Sequence, residues 1–177
     1  MSIPYNEELM SNIISLLKNF KYHIISYREL SDKIDSLPGE REFWVYTCDA
    51  HLQMAAISWC MVFGTDSNPT HWKNLSQRYA STLKNFVVEK TGISESEYQT
   101  KWKAIIDFRN TYIAHKNGFD KPVPYFSFAE KVVDCFESWA IEMFHPGELE
   151  QYAPLSYFWE LCTLDIKNVI GCIAKHD

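Results

Sequence analysis

Three side chains near the middle of the chain stand out for the chemistry they could perform. Arg109, Tyr112 and His115 follow one another at intervals of three within KWKAIIDFRNTYIAHKNG, residues 101–118. On an α-helix each such step drifts by roughly 60°, so the three form a slanted band on one flank. The apolar residues Trp102, Ile105, Ile106, Tyr112 and Ile113 recur at helical spacing, and their stripe passes through Arg109. An arginine on a core-facing stripe needs a partner, a wet cavity or a subunit boundary, because burying an unpaired charge is costly. The chemistry open to such a group is cleavage of RNA without a metal. RNA carries its own nucleophile, the 2′-hydroxyl. The protein must then add a proton acceptor, a proton donor and compensation for phosphoryl charge. Histidine titrates near working pH and fills either proton role, and the guanidinium fork matches phosphate. Asn110 and Tyr112 are placed to orient the phosphate or the histidine. The plain alternative is an arginine that bridges helices and a histidine that neutralises a helix C-terminus.

Other chemistries find less support. The histidines His23, His51, His71, His115, His145 and His176 show no ligand-like spacing with one another or with cysteine, and His71 has only Asp66 nearby in a loop. No dedicated metal site is expected. There is no GxxxxGK[ST] or GxGxxG run, and only 6 Gly in 177 residues, so no cofactor is expected. His51 reads as a satisfied, half-buried histidine. Trp44, Trp59, Trp72 and Trp102 read as core rather than as stacking platforms. Cys48, Cys60, Cys135, Cys162 and Cys172 are odd in number, lack a CxxC pair and sit among apolar residues, which suggests buried free thiols in a reducing compartment.

The elements that must position this band are helices. The composition is 46% hydrophobic, with too few glycines and prolines for a turn-rich β fold. Residues 5–36 read as a helix broken or bent near Phe20-Lys21-Tyr22 and stopped by Pro38-Gly39. A second helix covers 40–63, with Asp49 and His51 inside its apolar run and Gly64 at its end. A third is expected from His71 to about Lys90, ended by Gly92. Ser94 and Glu97 form a capping box that opens the band-bearing helix, 95–116, which Asn117-Gly118 closes. Helices over 125–144 and 154–174 follow, separated by Pro146-Gly147. The expectation is an all-α, single-domain antiparallel bundle of five to six helices spanning residues 1–177. The final helix is so apolar that the bundle or another chain must cover it.

Charge is unevenly spread. Residues 73–121 hold 9 Lys or Arg against 5 Asp or Glu, a balance of +4; the rest of the chain stands at -10. A local polyanion site is permitted there, although the acidic remainder suits protein contacts. The N-terminal MSIPYNEELM has no signal-peptide pattern and no 18-residue apolar run exists, so a cytoplasmic protein without a membrane span is expected.

FRNTYIAHKNG resembles the signature of the HEPN superfamily, in particular its branch associated with abortive phage infection. That motif is Arg, four to six residues, then His, often with a polar residue after the Arg. Here these are Arg109, Asn110 and His115. The resemblance spans residues 40–140, including WCMVFG in the second helix. It implies a helical bundle that forms a homodimer, with the arginines and histidines of two subunits facing one cleft. It further implies a metal-independent endoribonuclease acting on RNA, a toxin or phage-defence effector, with an antitoxin or regulatory protein as a further partner. Arg109 and His115 would be catalytic, Asn110 and Tyr112 supporting, and Lys116 a substrate contact. Some relatives are non-catalytic, so two alternatives stay open. One is a helical module binding a nucleotide, nucleic acid or partner protein; the other is an assembly protein whose Arg-His pair is structural.

Overall fold

The computed structural model describes residues 4–114, 123–145 and 154–174. Six α-helices form a single-domain bundle, and no strand occurs among the described residues. They are α1 (Glu7–Lys33), α2 (Arg41–Phe63), α3 (Thr82–Thr91), α4 (Glu95–Phe108), α5 (Ser127–Phe144) and α6 (Leu155–Ile173). Short 3-10 turns fill Ile34–Ser36, Trp72–Leu75 and Gln77–Tyr79.

α1 begins where the Asn6 side chain accepts the Leu9 N–H, satisfying one of the orphan donors of a helix start. It buries Ile13, Leu17, Phe20 and Ile24 in unbroken helical register. The helix runs without a break through Phe20-Lys21-Tyr22, where a break or bend is expected. Lys21 interrupts the apolar pattern because its ammonium is buried against Glu130 of α5, 2.8 Å away. Arg28 adds a fork to the same carboxylate at 2.7 and 3.1 Å. A charge in the stripe is thus paired inside the bundle and leaves the helix whole.

α1 and α2 pack along one another, joined by a tight turn in which Gly39 takes φ 84°. α2 is the central element: Leu52, Ala55, Ala56, Trp59, Val62 and Phe63 are all buried. The Trp59 indole donates to the Ala129 carbonyl of α5 at 3.2 Å. At the other end of α2, Gly64 donates its N–H to the Cys60 carbonyl, and a Cβ at Gly64 would run into that carbonyl. The Phe63 carbonyl, an orphan acceptor of the helix end, takes the Trp102 indole N–H of α4 at 2.6 Å. Trp59 and Trp72 are buried, while Trp44 and Trp102 are half-buried against the core.

The expected helix from His71 to Lys90 is corrected: only Thr82–Thr91 is α-helical. Polar side chains in the preceding segment take the backbone groups that a helix would have used. The buried His71 accepts the Lys73 N–H on Nδ1, and the Asn74 amide donates to the Asn68 and Pro69 carbonyls. α3 ends at Gly92, φ 68°, in the left-handed region that favours glycine. The capping box of Ser94 and Glu97 then opens α4, as its sequence pattern foretold.

α5 packs on α3, and α6 on α1. α6 is capped from outside its own sequence: the Glu137 carboxylate of α5 accepts the Leu155 N–H at 2.6 Å. Its inward side buries Leu155, Trp159, Cys162, Ile166 and Ile170, while Tyr157, Leu161, Leu164 and Val169 are exposed. All five cysteines are free and four are buried; Cys172 is exposed, against the expectation that all would be covered. The Asn117-Gly118 and Pro146-Gly147 stops lie outside the described residues. No described helix is long and apolar enough to cross a membrane.

Candidate functional site

The candidate band begins where α4 loses its α-helical winding. Ile105 and Phe108 anchor the last turn in the core. At Arg109 the backbone N–H is shared between the Ile105 and Ile106 carbonyls, and Arg109–Ala114 continue as a π-helical turn. Thr111 adds a side-chain bond within this turn, of the kind that Thr47, Thr100 and Thr163 make inside regular α-helices. Its hydroxyl donates to the Asp107 carbonyl at 2.6 Å, the acceptor that an unbroken α-helix would reserve for the Thr111 N–H. Such wide turns recur at functional sites because they re-aim side chains. From Arg109 to Tyr112 the band drawn for an ideal α-helix is therefore redrawn, with fewer degrees per residue.

Arg109 is half-buried. Its guanidinium donates from one terminal nitrogen to the Asn110 side-chain oxygen at 2.7 Å. Among the described residues it has no ion-pair partner. The bond to Asn110 fixes the fork without neutralising it. The positive charge is felt by Cys60 of α2, whose thiol burial pushes up to about 12 while Arg109 pulls it the other way. Arg109 thus sits beside the second half of α2 on the flank of α4 that meets it.

Tyr112 follows a different course. Its ring stacks on Phe108, with centroids 5.1 Å apart and planes 12° from parallel. Its hydroxyl donates to the Asp49 carboxylate of α2 at 2.8 Å, and Gln53 donates to the other Asp49 oxygen at 2.6 Å. The phenol is held above its ordinary pKa, first by desolvation and then by the hydrogen bond and charge of Asp49. Tyr112 thereby ties the π turn to α2. Asp49 is the residue that sequence reasoning noticed without giving it a role. Its i,i+4 relation to Gln53 was legible, but its link to Tyr112 needs the packing of α4 on α2.

Of the sequence-predicted site residues, Arg109 and Asn110 are brought into contact, and Tyr112 is directed to α2. His115 and Lys116 lie outside the described residues. His51 is half-buried as expected, and its partner is one that the sequence did not disclose. The Nδ1 atoms of His51 and His23 face each other at 2.8 Å across the α1–α2 seam. Desolvation lowers both pKa values, and at His23 the neighbouring His51 lowers it further. His71 is also held low, by burial first, with Asp66 opposing and Lys73 adding to the shift. Asp66 is itself bonded to Lys73 at 2.7 Å. Among the described residues no group of three or more His, Cys, Asp or Glu side chains converges as a metal site would require.

Comparison with known proteins adds no relative: no family model, no curated protein and no solved structure matches the chain.

Proposed function

We propose that this protein is a metal-independent endoribonuclease of the HEPN type, working as a homodimer and serving as a toxin or phage-defence effector. The observation that carries the reading is Arg109: a half-buried guanidinium, oriented by Asn110, with no carboxylate partner among the described residues. A fork held in place but not neutralised is suited to a phosphate supplied by a substrate. The π turn beneath it and the Tyr112–Asp49 tie to α2 support the same reading, since a charge-stabilising group must be held by rigid surroundings. The exposed apolar side chains of α6 offer surface for a second copy.

In this reaction the 2′-oxygen of the nucleotide attacks its own 3′-phosphorus and the bond to the 5′-oxygen of the next nucleotide breaks. The 2′-hydroxyl proton leaves to a base, and the departing 5′-oxygen gains a proton. His115 serves in proton transfer, Arg109 binds the phosphoryl oxygens as their charge grows, and Lys116 contacts the substrate backbone. The test is cleavage of a panel of RNAs, tRNAs included, in excess EDTA. Arg109→Ala and His115→Ala should each lose activity by about 100-fold or more, in keeping with removal of one charge-stabilising or proton-transfer group. Wild-type activity in both variants, or no cleavage by the unaltered protein, overturns the proposal. Light scattering at micromolar concentration should give a dimer; a monomer contradicts the shared cleft.

A further inference from the structure

A cavity of about 460 Å³ lies on α4 away from the flank that carries Arg109, between α4 and the start of α5. Its floor is apolar, with Ile93, Ala104 and Phe128, and Tyr125 stands at its rim, 90% exposed. Two lysines, Lys101 of α4 and Lys131 of α5, line it together with the hydroxyls of Thr91, Thr100 and Ser127. Among the described residues no carboxylate lines it. That absence is notable in a chain with 23 Asp or Glu against 17 Lys or Arg. Neither lysine has an ion-pair partner among the described residues. Glu97, one turn before Lys101 on the same helix, accepts from the Ser94 backbone and hydroxyl, both at 3.0 Å, and Lys101 acts on it only through space, without an ion-pair contact.

The chemistry of this lining is specific. An apolar floor with an exposed phenol ring at its edge accepts a planar ring system by stacking. Two ammonium groups accept an anion bearing several oxygens, while the Thr91 and Thr100 hydroxyls are engaged with the Val87 and Ser96 carbonyls. α5 adds to this by starting at the cavity edge with no side-chain cap on its first N–H groups. The volume falls within the range of small-molecule sites. We propose that this cavity binds a nucleotide, with its base against Tyr125 and Phe128 and its phosphate between Lys101 and Lys131. The nucleotide is either free or one unit of a single RNA strand. The site is separate from Arg109 and stands whether or not the chain cleaves RNA.

The experiment titrates the full-length chain with AMP, with single-stranded oligoadenylate and with inorganic phosphate, by calorimetry at low salt. The oligoadenylate arm uses the His115→Ala background, so that cleavage and binding are read separately. AMP or oligoadenylate should bind, and phosphate alone more weakly by tenfold or more. The double variant Lys101→Glu/Lys131→Glu, both at exposed positions, should lose at least tenfold in affinity, and Tyr125→Ala should lose several-fold. Binding of AMP assigns a free nucleotide, and binding of oligoadenylate alone assigns an RNA strand; either supports the site. Absence of binding by both probes at millimolar concentration overturns it, as does binding that the lysine reversal leaves unchanged. An unaltered melting temperature in the double variant shows that lost affinity is not lost folding.

Discussion

Glu130→Gln is the substitution whose cost can be worked most fully from this structure. Glu130 receives Lys21 at 2.8 Å and Arg28 at 2.7 Å, and these contacts lock α5 to α1. The side chains of Lys21 and Glu130 are only 11% and 16% exposed, so this leg behaves as a largely buried pair. Breaking such a pair by removing one partner costs about 3–5 kcal/mol, because the other charge stays buried. Gln keeps the shape and still accepts one hydrogen bond, and the site is not wholly dry, so about 2–3 kcal/mol is expected from that leg. Arg28 is 45% exposed, and its leg adds at most about 0.5 kcal/mol. The total, about 3 kcal/mol, corresponds to a fall in melting temperature of about 6–12 °C for a chain of this size. Thermal and urea unfolding at pH 7 measure it.

The pH dependence of that difference follows from the same contacts. Burial alone would raise the Glu130 pKa, but the bonds from Arg28 and Lys21 outweigh it and hold the carboxyl below its usual value. A depressed carboxylate contributes stability that is present above its unfolded pKa and is lost as pH falls through the folded one. The gap between wild type and Glu130→Gln should therefore narrow below about pH 4. The double change Lys21→Met/Glu130→Leu, which removes both charges, should recover most of the loss. A Glu130→Gln cost below about 1 kcal/mol, or a double variant less stable than the single one, would refute the reasoning.

Further outcomes are expected elsewhere in the bundle. Tyr112→Phe removes a hydroxyl that donates to Asp49 and should lower stability by about 1 kcal/mol in urea unfolding. Stability should decline as pH drops below about 6.5. His23, His51 and His71 bind protons more weakly in the folded chain than in the unfolded one, so the stability they contribute is complete above that pH and lost below it. Melting curves at pH 7.5 and 5.5 check this, and His51→Gln should flatten the dependence. Gly92→Ala, at φ 68°, should cost about 1 kcal/mol, whereas Gly171→Ala, inside α6 with open space around it, should gain about 0.5–1 kcal/mol. Equal effects at the two glycines would contradict the assigned conformations.

The helices were legible wherever apolar periodicity and punctuation agreed. α2 and its Gly64 stop, the Ser94–Glu97 box and α5 all fall where their residues place them. Periodicity misled where polar groups did the work. Lys21 looked like a break because its carboxylate partner is 109 residues away in sequence. The apolar stripe of 71–81 looked helical because backbone capture by His71 and Asn74 leaves no mark on a hydrophobic pattern. At the candidate site the same division holds. Arg109 and its neighbour Asn110 were visible as a local pair, whereas Asp49 and the His23–His51 contact depend on helix packing, which spacing along one helix cannot report. The π turn was hidden too, since the residues Arg109–Ala114 carry no apolar or punctuation pattern that separates it from an α-helix.

The most direct test of the proposed chemistry removes the nucleophile from the substrate rather than from the protein. An RNA oligonucleotide and its counterpart with a single 2′-deoxy nucleotide at the cut position are incubated in EDTA with wild-type protein and with Arg109→Ala. A ribonuclease that uses the 2′-hydroxyl, with Arg109 holding the phosphoryl oxygens, cuts the all-RNA strand to 2′,3′-cyclic phosphate and 5′-hydroxyl ends. It leaves the deoxy position intact and slows by about 100-fold or more without Arg109. Equal cutting at the deoxy position, wild-type rates from Arg109→Ala, or no cutting of either strand would contradict it.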